Sequence, residues 1–88
     1  MDVLQSIKEK LQQYEDWPIL YMFKFIVPSD MQKIARVEAL FSATAIVHRK
    51  ESKNGRFVSI TAKQHMHMPE QIIELYRKAA KIEDIMAL

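Results

Sequence analysis

The nine residues ILYMFKFIV, 19–27, carry the strongest strand signal in this 88-residue chain. Aromatic and β-branched residues dominate the run, a composition that suits a pleated, buried surface. Extended, it places Tyr21, Phe23, Phe25 and Val27 on one face and Met22, Lys24 and Ile26 on the other. Both faces are largely apolar, so the strand belongs inside a sheet with a cover on each side. Pro28 ends it.

On the N-terminal side, Val3, Leu4, Ile7, Leu11 and Tyr14 recur at spacings of three and four, the stripe of an amphipathic helix. Trp17 precedes Pro18, and a residue before proline is pushed out of the helical region, so this helix is expected to stop by about Asp16. We therefore divide the chain into an N-terminal amphipathic helix, 1–17, and an α+β domain, 18–88.

On the C-terminal side, Ser29 with Gln32 three residues later reads as a capping box, with Asp30 in the first turn. The helix that follows is expected to run to about Phe41 and to bury Met31, Ile34, Val37 or Ala35, and Phe41. Strands over 44–50 and 56–63 flank Asn54-Gly55, the strongest short-range hairpin signal, and Gly55 is the only glycine. A two-residue turn puts Val58, Ile60 and Ala62 on one face with Val47, and Phe57, Ser59 and Thr61 near Ile46, His48 and Lys50. A longer loop is expected to shift that register and exchange Ile46 with Val47. Pro69 suits the first position of a helix over 70–81, and Ile85 to Leu88 form a short last strand.

After the first helix the order is β-α-β-β-α-β. With right-handed crossovers this predicts a ferredoxin-like sandwich, two helices on one face of a four-stranded antiparallel sheet. The first and third strands are central and the last is at an edge.

Composition excludes several function classes. The absence of cysteine removes disulfides, thiolate catalysis and zinc fingers. The N-terminus has no signal-peptide core and no run reaches the length of a bilayer span, from which a cytoplasmic, non-membrane protein is expected. The 13 basic and 11 acidic residues leave a net charge of +2, with Lys8, Lys33, Arg36, Lys50, Lys53 and Arg56 scattered among carboxylates. No basic stripe marks a nucleic-acid partner.

Pro18 to Val27, Ser59-Ile60-Thr61, and the tail from Glu70-Gln71 through Leu75-Tyr76 to Lys81-Ile82 and Leu88 resemble the YbeD-like family of small bacterial proteins of unknown function. The resemblance covers about three quarters of the chain and brings no catalytic motif. It implies a ferredoxin-like fold similar to small regulatory domains that bind effectors such as amino acids, often through a glycine-bearing loop after the first strand. Here that loop, Val27-Pro28-Ser29-Asp30, has no glycine.

His65-Met66-His67-Met68 offers imidazole and thioether donors, but two histidines at i, i+2 in a loop before Pro69 do not close a metal site. Phe57 sits where an RNA-reading strand carries a stacking aromatic, yet Gly55 and Ile60 stand where its companions belong. Glu38, Glu51, Glu70, Glu74, Glu83 and Asp84 read as solvated element ends rather than an acid–base pair. No catalytic residue, cofactor or metal ligand is therefore expected.

The better clue is apolar. Met22, Lys24, Ile26 and Phe57 form the candidate partner surface on the sheet face away from the helices, a patch seldom left bare. Its cover is expected to be the first helix, a second copy in a homodimer, or a partner protein. The leading expectation is a non-enzymatic binding or regulatory module, and the alternative is a small-effector domain.

Overall fold

The computed structural model describes residues 3–13 and 16–88. Its elements are α1 (Val3–Leu11), β1 (Ile19–Pro28), α2 (Met31–Glu38), β2 (Ile46–Glu51), β3 (Phe57–Met66), α3 (Pro69–Ala79) and β4 (Met86–Ala87). The chain is α+β, with three helices and one four-stranded antiparallel sheet of order β2-β3-β1-β4. The two most apolar strands are central, and the two-residue β4 is at an edge beside Phe25 and Ile26. Leu88 extends that pairing by donating its N–H to the Lys24 carbonyl at 2.9 Å.

The core lies between the helices and one sheet face. Phe23, Phe25 and Val27 of β1 and Ile60 and Ala62 of β3 are fully buried there, with Ile34 and Val37 of α2 and Ile72, Leu75 and Ala79 of α3. Phe41, in the turn after α2, brings its ring within 5.6 Å of Phe23. Tyr76 of α3 reaches over the strand and shares a 2.9 Å hydroxyl–hydroxyl hydrogen bond with Tyr21. Burial first, and that bond second, raise the Tyr76 phenol above its ordinary pKa of 10.0. The fold thus favours the neutral ring. That stabilisation is present in full below pH 10.0 and is lost as pH rises past it, because the unfolded phenol ionises first. Stability should fall faster with pH above about 10 in the native protein than in Tyr76→Phe, as read by urea unfolding at each pH. Parallel curves would remove Tyr76 from the alkaline response.

Several local expectations shift. Asp30, not Ser29, caps α2, accepting from the Gln32 and Lys33 amides at 2.9 and 3.4 Å. The Ser29 amide is engaged by the Arg56 carbonyl at 2.9 Å, which prolongs the strand and delays the helix by one residue. Helix α2 ends at Glu38, and Met31 is exposed rather than buried. Helix α1 ends at Leu11, and Tyr14 lies outside the described residues. Strand β3 continues past Lys63 to Met66, because the ten-residue β1 supplies partners that far: Leu20 meets His65 and Ile19 meets Met66.

The hairpin loop is four residues long, not two. Ser52 and Phe57 close it, the Gly55 amide donates to the Ser52 carbonyl at 3.0 Å, and the Asn54 side chain accepts from the Arg56 amide at 3.0 Å. This is a turn entered by ordinary backbone and left through Gly55 at φ +69°. Two extra residues preserve the side-chain parity, so Val47 still meets Ala62 inside and Ile46 still meets Lys63 outside. No atom lies within 4 Å of a Cβ added at Gly55, so a substitution there is penalised by conformation alone. Gly55→Val is expected to cost about 1–3 kcal/mol, and Gly55→Asn less, since asparagine visits the left-handed region. Equal melting temperatures for Gly55→Val and the native protein would contradict this.

Candidate functional site

Strand parity separates the two faces of the sheet. With Phe23, Phe25 and Val27 turned into the core, Leu20, Met22, Lys24 and Ile26 of β1 turn outward. Their partners on β3 are His65, Lys63, Thr61 and Ser59, and beyond these on β2 stand Ile46, His48 and Lys50. Met86 of β4 meets Ile26 from the opposite side. The four anticipated residues fall together: Met22, Lys24 and Ile26 on the central strand, and Phe57 opposite Pro28 at the hairpin end. Met22 is 55% exposed and Phe57 44%, whereas Ile26 is half-buried between its neighbours.

Sequence reasoning missed the extent of this face. Leu20, Met86 and Leu88 add to its apolar surface, each more than half exposed, and of Ile46 and Val47, between which the sequence left the choice to the register, it is Ile46 that lies on this face, 56% exposed. The parity of Leu20 was readable from the strand, but that of Met86 depends on its pairing with Ile26.

Nothing described on this chain covers the face. Helix α1 packs on α3, in the helical layer, with Leu11 in the core and Lys8 3.7 Å from Glu70. Leu11 and Ile7 of its stripe pack into the core on the far side of the sheet, while Val3 is exposed. Arg49, at an inward position of β2, forms an ion pair with Glu38 of α2, and Lys33 of α2 holds Asp84 at 2.9 Å ahead of β4. Each pairing raises the cation's proton affinity through its hydrogen bond to the carboxylate. These bridges tie the two edge strands to the helices and leave the outward surface untouched.

A second concavity of about 800 Å³ runs between α1, α3 and the end of β3. Several of its polar groups are engaged with one another. Gln64 Oε1 accepts from the Ser42 amide at 2.9 Å, Gln71 Oε1 accepts from the His67 amide at 2.8 Å, and Arg77 lies 3.8 Å from Glu74. His65 and His67 part company: His65 stands on the outward face opposite Leu20, and Met66 between them is buried in the core. The first half of the run anticipated as a loop, His65-Met66, is thus strand, and His67-Met68 connect it to α3. Among the described residues no group of three His, Cys, Asp or Glu side chains is placed to hold a metal ion.

The family described as "Protein of unknown function (DUF493)" matches residues 9–88, nearly the whole chain. The chain belongs to the DUF493 family. The YbeD-like resemblance of its strand, hairpin and tail is consistent with that membership. Comparison with the curated proteins and with the solved structures gives no match. In this DUF493 chain no described helix is long and apolar enough to cross a membrane.

Proposed function

We propose that this chain is a non-enzymatic binding module that works through protein–protein contacts on the outward face of its sheet. The observation that carries the reading is the apolar surface of Leu20, Met22, Ile46 and Met86, left open among the described residues while helix α1 packs on α3. Burying such side chains is worth about 1.5–3 kcal/mol each, enough to hold a partner. The β-α-β-β-α-β order with β1 and β3 central supports reading the scaffold as a ferredoxin-like sandwich, which presents one flat sheet face. The non-catalytic reading is supported by the groups that titrate abnormally. Lys33 and Arg49 are held in ion pairs, and Tyr76 is held in the core.

A photoreactive residue at position 22 tests the proposal in cells. It should give discrete crosslinked products that disappear when Ile46→Asp is added, whereas the same residue at position 81, just beyond α3, should not. Adducts of the chain with itself would assign the face to self-association. Equal, diffuse crosslinking from both positions would sink the reading.

A further inference from the structure

The outward face has a charge pattern that strand pairing creates and linear order hides. Lys24 stands opposite Thr61, Lys63 lies two residues along β3 from that threonine, and Lys50 stands opposite Ser59. The three lysines therefore come from three strands and fall on neighbouring rows, with His48 and His65 at the same surface. Among the described residues no Asp or Glu occupies an outward strand position. Carboxylates instead engage cations on the helical side, as in Glu38 with Arg49 and Asp84 with Lys33.

We infer that the partner of this face is an acidic protein segment whose carboxylates flank aliphatic side chains. The inference rests on the open-face reading above and adds the chemistry of the occupant. Like charges on neighbouring rows of a sheet repel, and an anionic surface laid across them removes that repulsion. A second copy of the chain does not, because the same face of the copy brings three more lysines and, among the described residues, no carboxylate to pair with them. The apolar rows decide the rest. Met22, Ile26, Ile46 and Met86 are aliphatic and complement leucine-like groups, whereas nucleic-acid bases need aromatic platforms. Phe57 is the one Phe, Tyr or Trp at an outward position of these strands, and it sits at the hairpin end, away from the imidazoles of His48 and His65.

Titration of the full chain with designed peptides tests this. The probe is an amphipathic peptide of leucine and glutamate, with a leucine–lysine counterpart, a short oligothymidylate and phosphatidylglycerol vesicles as comparisons. The leucine–glutamate peptide should bind, more weakly as salt rises, and the leucine–lysine peptide should not. Combining Lys24→Glu with Lys63→Glu should weaken binding about tenfold or more, and Lys81→Glu, beyond the sheet, should leave it unchanged. Circular dichroism confirms that each variant is folded. Failure of the acidic peptide to bind overturns the inference, as does equal binding of the basic one. Tighter lysine-dependent binding of the oligonucleotide or the vesicles would overturn it in favour of nucleic acid or membrane. If Met22→Asp abolishes peptide binding while lysine reversal does not, the open face stands and the acidic partner falls. If neither change matters, both readings fall.

Discussion

Phe23→Ala is expected to cost about 3–5 kcal/mol of folding stability, the range for deleting a buried aromatic ring. Phe23 is wholly inaccessible, and its ring centroid lies 4.6 Å from Tyr21, 5.5 Å from Tyr76 and 5.6 Å from Phe41. The ring thus ties β1 to α3 and to the turn after α2, and those side chains cannot all collapse into the space it leaves. Domains of this kind are stable by only about 5–15 kcal/mol, so the variant should unfold at a far lower urea concentration or fail to fold. Met22→Ala is the matched control, one residue away on the other face. It should shift stability by less than about 0.5 kcal/mol, since Met22 has only solvent beyond it in the isolated chain. Equal losses from the two variants would mean that the faces of β1 are wrongly assigned.

Removing residues 1–13 should cost about 2–5 kcal/mol and leave the outward sheet face unchanged. Leu11 is buried and Ile7 packs against the core, and each such side chain contributes roughly 1.5–3 kcal/mol when fully covered. Truncation would also bare the α3 surface on which α1 packs, so a hydrophobic dye should bind more strongly. Methionine and isoleucine methyl NMR, which reports on Met22 and Met86 of the sheet and on Ile72 and Ile73 of α3, separates this outcome from its alternative. With α1 on α3, the signals of Met22 and Met86 stay in place while residues of α3 move. Were α1 a lid over the sheet, Met22 and Met86 would shift first.

Much of the architecture was legible because it rests on local physics. Residues 19–27 read as a strand with two distinct faces since alternation is a property of the extended backbone, and the core list beginning with Phe23, Phe25 and Val27 follows from it. Gly55 marked the hairpin because only glycine enters the left-handed region without penalty, and it does so at φ +69°. Pro69 marked the start of α3 for an equally local reason, its missing amide proton.

Tertiary structure decided what depends on residues far apart in the chain. The stripe of α1 fits either side of the sheet, and only its packing on α3 selects one. The end of β3 at Met66 was set by the length of β1 rather than by the residues 64–66 themselves. Lys24, Lys50 and Lys63 look scattered in the sequence, because side-chain direction alternates within each strand and only pairing brings strands into register. Local propensity therefore determined the elements and their inner faces. Long-range hydrogen bonding and packing determined which face stayed open and what charge it carries.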